Sequence, residues 1–209
     1  MEGLQEVTCC GMERSASTLT WQMVRNLTED EVAKTHEYVK GAGKIIYTYR
    51  HPVEAYYSLR RCFSQIYPVA TACQLALKAI KLQEGIYKQY KKDSQAGRCV
   101  LFLKYENYYH NPRARLHAIV TFMGVENNKI NIFQILENTS LKRNIAQSAG
   151  KGNFGNHDTL TGLHGNHIDA QFKGIPGNIL HHLQQLLPYD DPLWSDPQIK
   201  NVVHTFGYK

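Results

Sequence analysis

The chain contains no Cys-x-x-Cys pair, and its five cysteines (Cys9, Cys10, Cys62, Cys73 and Cys99) are scattered and odd in number. This pattern argues against a disulfide framework and against paired-cysteine zinc sites, and it suits buried thiols in a reducing compartment. No apolar run approaches the roughly 18 residues that would cross a bilayer. The opening Met1-Glu2-Gly3-Leu4-Gln5-Glu6 lacks the basic and then apolar profile of a secretion signal. The expectation is a soluble, intracellular protein of the cytoplasm with no membrane partner. Internal repeats and low-complexity segments are missing too. Lys and Arg outnumber Asp and Glu by 24 to 18, a formal charge of +6, but they are dispersed apart from Lys88 to Lys92. A positive chain favours anionic ligands, and the dispersal favours a small anion over nucleic acid, which is not expected as a partner.

At 209 residues and 43% apolar composition the chain fits one domain, residues 1–209, able to bury its own core. Strand-like runs (Leu4–Cys10, Glu31–His36, Gly43–Tyr49, Arg98–Glu106) alternate with helix-like runs (Leu19 to about Asp30, Pro52–Gln65, Ala70–Lys92, Pro112–Met123, Asn131–Glu137, Asn178–Leu187, Ser195–Phe206). In Ala70–Lys92 the apolar positions read as Leu75, Leu77, Ile80, Leu82, Ile86 and Tyr87. This alternation predicts an α/β fold with a central, mainly parallel sheet flanked by helices, and ligands at the strand C-terminal ends. From Thr139 to Gly177 the composition turns to Gly, Asn, His and Lys, which reads as an active-site loop or lid.

Gly11-Met12-Glu13-Arg14-Ser15-Ala16-Ser17-Thr18 joins the first strand to the first helix. A strand, a small-residue turn and a helix N-terminus together aim backbone N–H groups and the positive helix end at one point, which attracts phosphate or sulfate. The loop lacks the second Gly and the Lys of the nucleotide-hydrolase pattern, which disfavours a P-loop-like nucleotide kinase. It resembles the 5'-phosphosulfate loop of sulfotransferases, Pro-Arg/Lys-Ser-Gly-Ser/Thr-Thr, with Glu13 in place of Pro and Ala16 in place of Gly. Arg50-x-Pro52 with Ser58 eight residues on is similar to the family's 3'-phosphate grip, and Lys34-Thr35-His36 to its Lys-Thr-His triplet. Leu103-Lys104-Tyr105-Glu106 and Asn138-Thr139-Ser140-Leu141 are similar to two family segments that approach adenine, Leu141 standing in for a Phe. The family's closing Lys-Gly loop has two candidates, Lys151-Gly152 and Lys173-Gly174, of which the second better matches its place before the terminal helix.

The resemblance implies a P-loop-like enzyme that moves a sulfuryl group from 3'-phosphoadenosine 5'-phosphosulfate (PAPS) to an acceptor hydroxyl or amine, releasing 3'-phosphoadenosine 5'-phosphate (PAP) without a metal. It implies that Arg14, Ser15, Ala16, Ser17 and Thr18 bind the 5'-phosphosulfate and that Arg50, Ser58, Lys173 and Gly174 bind the 3'-phosphate. Tyr105, Thr139 and Leu141 would approach the adenine. Arg14, Lys34 and His36 would be catalytic, with His36 as general base, since imidazole titrates near neutral pH. Glu29, Glu31 and Glu37 are rival bases nearby. His164 with His167, or His181 with His182, are spaced like metal ligands but lack a matching Cys or carboxylate set, so no metal is expected. A non-catalytic nucleotide-binding protein of the same fold is the main alternative. Only fifteen residues separate Thr18 from Lys34, so the acceptor site should be shallow, suiting a saccharide or peptide, or else a smaller acceptor in a pocket completed by the Thr139–Gly177 loop or by a second copy in a homo-oligomer.

Overall fold

The computed structural model describes residues 6–28, 31–41, 43–126, 130–149, 161–163, 187 and 190–208. Four parallel strands, β1 (Val7–Gly11), β2 (Ala33–Thr35), β3 (Lys44–Tyr49) and β4 (Val100–Lys104), form one sheet in the order β2-β1-β3-β4. β1 and β3 are central, and their apolar runs are buried on both faces, as expected for a parallel sheet between helical layers. Adjacent residues split between the layers. Cys10, Ile45 and Tyr47 pack beneath α2 (Pro52–Phe63) and α3 (Val69–Gln95), whereas Cys9, Ile46 and Leu103 pack beneath α1 (Ser17–Arg25) and α5 (Pro112–Met123).

The helices start and stop where side-chain chemistry directs. Pro52 and Pro112 occupy first-turn positions, and the preceding His51 and Asn111 side chains accept from Val53 N–H and Ala114 N–H. Gly124 ends α5 in the left-handed region at φ 75°, where a side chain would be strained. α1 stops at Arg25, short of the expected Asp30, with Asn26 Nδ2 donating to the Gln22 carbonyl at 2.7 Å. β4 also ends early: Tyr105 and Glu106 belong to a single helical turn, α4 (Tyr105–Tyr108).

Two expectations need correction. Leu82, read as an apolar core position of α3, is 56% exposed, and its neighbour Gln83 is buried instead because the Tyr47 hydroxyl donates to its Oε1 at 3.0 Å. The start of the Thr139–Gly177 segment is not loop: after α6 (Ile132–Asn138), α7 (Leu141–Ser148) is a capped helix, with Ser140 Oγ accepting from Arg143 N–H. α7 is held to α1 by a reciprocal amide pair between Asn144 and Gln22, both bonds 3.0 Å. The C-terminal region adds α8 (Pro192–Ser195) and α9 (Ile199–Thr205), which join the α2–α3 layer through Leu193, Val202 and Phe206. The five cysteines are free, with Cys99 exposed and the other four buried. The expected helix at residues 178–187 lies outside the described residues, apart from the buried Leu187.

Candidate active site

All four strands run the same way, so the residues after each C-terminal end share one edge of the sheet. The chain leaves β1 first to one side, for β2, and then to the other, for β3, which puts the Gly11–Thr18 loop at the reversal point where open α/β sheets bind ligands. Gly11 has to be glycine: a Cβ there would collide with the Thr48 hydroxyl and carbonyl. Met12 N–H then donates to Thr48 O at 2.9 Å. Ser15 turns inward, its hydroxyl donating to Met12 O and meeting Thr48 Oγ1 at 2.7 Å. Arg14 and Ala16 both adopt φ 63°, the left-handed region that Gly enters without cost. Ala16 is the N-cap of α1 and has no side chain with which to cap it, so the first-turn amides and the positive dipole end face the loop mouth.

The resembling motifs converge here. Arg14 Nε donates to Ser58 Oγ at 2.8 Å, and Arg50 Nη1 donates to Arg14 O at 3.3 Å. The Arg50 guanidinium lies 4.1 Å from the Tyr105 ring centroid, and Tyr105 stacks on Tyr109 at 4.5 Å. Arg14, Arg50, Ser58 and Tyr105 thus form one cluster drawn from the first loop, the end of β3, α2 and α4. Two carboxylates complete it that sequence reasoning missed. Glu54, 2% exposed, takes Arg50 Nε in a 2.6 Å ion pair. Glu106 accepts from the backbone N–H of His51 at 2.8 Å and from the Tyr208 hydroxyl at 2.6 Å, tying the C-terminal segment to the turn that carries Arg50. Burial lowers the His51 imidazole to about 4, so it is neutral at pH 7, and it packs edge-on against Tyr208.

On the other side of the loop, the pairing of Cys10 with Thr35 brings the end of β2 beside Gly11. His36 Nδ1 lies 2.6 Å from Gly11 O. A carbonyl can only accept, so Nδ1 carries the hydrogen, and in the neutral ring Nε2 carries the lone pair able to take a proton. Gln83 Nε2 donates to His36 O at 2.6 Å and fixes the backbone that presents the ring. Of the rival carboxylates, Glu31 and Glu37 are exposed and Glu29 lies outside the described residues. Lys34 Nζ donates to Thr18 Oγ1 at 2.7 Å, and burial lowers its ammonium to about 8.

Thr139 and Leu141 are not drawn into the arginine cluster by any direct hydrogen bond. Thr139 is buried with Oγ1 donating to Ile135 O at 2.8 Å, and Leu141 is 53% exposed. Both Lys-Gly candidates (Lys151-Gly152 and Lys173-Gly174) and the paired histidines His164, His167, His181 and His182 lie outside the described residues. Among the described residues no group of three or more His, Cys, Asp or Glu could hold a metal, and no helix is long and apolar enough to cross a membrane.

A model of the sulfotransferase domain matches residues 3–151. No curated protein matches the chain. Among solved structures, the crystal structure of the mouse sulfotransferase SULT7A1 complexed with PAP superposes with a TM-score of 0.58, covering 96% of this chain and 88% of that one at 14% identity. At that identity the likeness is one of fold.

Proposed function

Because the chain belongs to the sulfotransferase family, we propose that it moves a sulfuryl group from PAPS to an acceptor hydroxyl, with His36 as general base. The observation that carries this reading is the gathering of Arg14, Arg50, Ser58 and His36 on the Gly11–Thr18 loop that leads into α1. These residues fit a bisphosphorylated nucleotide. They offer backbone amides and a guanidinium at the loop, and a second guanidinium with a hydroxyl one turn into α2.

When bound, PAPS supplies a sulfuryl group on a good leaving phosphate. The amides of Ser17 and Thr18, with Arg14, hold that phosphate and offset the charge that develops on it. Arg50 and Ser58 hold the 3'-phosphate, and Tyr105 offers a face to the base. Nε2 of His36 would accept the hydroxyl proton of the acceptor as its oxygen bonds to sulfur and the bond from sulfur to the leaving phosphate oxygen breaks, while Nδ1–H stays on Gly11 O and keeps the ring oriented. Lys34 carries positive charge to the transferred group from its seat on Thr18. The chemistry is therefore mostly positioning plus charge neutralisation, by analogy with phosphoryl transfer.

Calorimetric titration with PAP, and separately with ATP and Mg²⁺, tests the reading. Tight binding of PAP alone supports it. Preferential binding of ATP with Mg²⁺ would move the chain to nucleotide kinase chemistry.

A further inference from the structure

Glu13 does not suit a loop that holds anions. It stands where the resembling loop has Pro, just before α1, and its Oε2 is buried with no hydrogen-bond partner among the described residues. A buried carboxylate oxygen without a donor is unfavourable by itself, and a bound phosphosulfate would add like-charge repulsion. The missing partner should be a cation.

The surroundings of Glu13 say where that cation would come from. Glu13 is two residues past Gly11, whose carbonyl holds His36, so the chain keeps its Cα within about 7 Å of the Gly11 Cα. Burial pushes the Cys10 thiol up to about 11 and holds the Tyr47 phenol well above its ordinary value, and the Glu13 charge raises both, so the carboxylate lies within electrostatic reach of Cys10 and Tyr47. Both residues are linked to the backbone around His36. Cys10 Sγ donates to Glu37 O at 3.2 Å, and Gln83, bonded by Tyr47, donates to His36 O. Arg14, the next residue, turns instead to Ser58.

We infer that Glu13 is the acceptor-recognition residue and that the acceptor is an amine-bearing molecule. Its ammonium sits on the Glu13 carboxylate and its hydroxyl is presented to Nε2 of His36. This rests on the sulfotransfer reading and deepens it by naming the acceptor's charge. An ionic anchor suits an enzyme whose short Thr18–Lys34 connection leaves little chain to wall in an acceptor. The bound cation also cancels the repulsion between Glu13 and the co-substrate, so the two ligands should assist each other.

The test uses the full chain saturated with PAP and two matched pairs of probes, tyramine with 4-ethylphenol and glucosamine with glucose. For at least one pair, the wild type should bind the ammonium-bearing member about tenfold or more tightly, the size of one charged hydrogen bond. In Glu13→Gln that preference should fall to near unity, while PAP affinity stays level or improves. Glu13→Pro, which restores the resembling residue, should behave like Glu13→Gln and serves if the Gln variant folds poorly. Equal binding of both members in both pairs by the wild type, or a preference that survives both substitutions, overturns the inference. The first step, PAP binding to the wild type, reports on the sulfotransfer reading separately.

Discussion

Ala16 is an L-residue held at φ 63° and ψ 31° at the N-cap of α1, within the Gly11–Thr18 loop. The left-handed region brings Cβ against the neighbouring carbonyl and costs about 1 to 2 kcal/mol. Ala16→Gly removes that term but adds conformational freedom to the unfolded chain, which costs about 0.4 to 1 kcal/mol. The net expectation is a gain of up to about 1.6 kcal/mol. For a domain of this size each kcal/mol moves Tm by about 2 to 4 °C, so Ala16→Gly should raise Tm by up to about 6 °C. PAP affinity should not fall, since Gly lets an anion come closer to the backbone. Arg14→Gly is the control: it relieves the same kind of strain but removes the donor on Ser58, so any gain in Tm should come with loss of PAP binding. Thermal unfolding followed by circular dichroism, with a PAP titration of each variant, is sufficient. A lower Tm for Ala16→Gly would show that the loop is not held in the left-handed conformation from which its anion-binding shape is argued.

Arg50→Ala would strand the buried Glu54, so the 3'-phosphate grip is better tested with Arg50→Ala/Glu54→Ala. That variant should lose about 1.5 to 3 kcal/mol of PAP affinity and little affinity for adenosine 5'-phosphosulfate, which lacks the 3'-phosphate; equal losses would reassign Arg50. Lys34 titrates at about 8 in the free protein, against 10.5 ordinarily, so the folded state binds fewer protons between those values and stability should rise as pH climbs through that window. Bound PAP should raise the Lys34 value, so binding near pH 8.5 should take up protons, read from calorimetry in buffers of different ionisation heat; Lys34→Arg should abolish the uptake. Tyr208→Phe removes the hydroxyl on Glu106 and should cost about 1.5 to 3 kcal/mol of stability, seen as a lower urea midpoint with an unchanged slope; an unchanged midpoint would remove the C-terminal tie from the account.

The sheet and the motif positions were legible because both are local. Continuous apolar strands, Pro at helix starts and Gly at a helix end act over a few residues, and the parallel sheet then delivers Arg14, His36, Arg50 and Tyr105 to one edge. What stayed hidden acts over long separations or through polar residues. Gln83 is buried on α3 because Tyr47 and His36 use it, and hydrophobic periodicity placed Leu82 there instead. Glu106 gains its role from Tyr208, about a hundred residues later. α7 looked like loop because it buries only Asn144 and Ser148, and its hold on α1 is an amide pair rather than an apolar stripe. The resemblance gives Ser15 to the 5'-phosphosulfate, whereas the place of its hydroxyl beneath Thr48 depends on the register between β1 and β3.

Transfer from radiolabelled PAPS into a mixed pool of acceptors, measured for the wild type and for His36→Gln alongside PAP affinity, tests the central claim most directly. A positioned general base contributes about 10² to 10⁴ in rate, so His36→Gln should slow label transfer by that factor and leave PAP affinity within about twofold. A wild type that binds PAP but transfers no label, or a His36→Gln variant with full transfer rate, would contradict it.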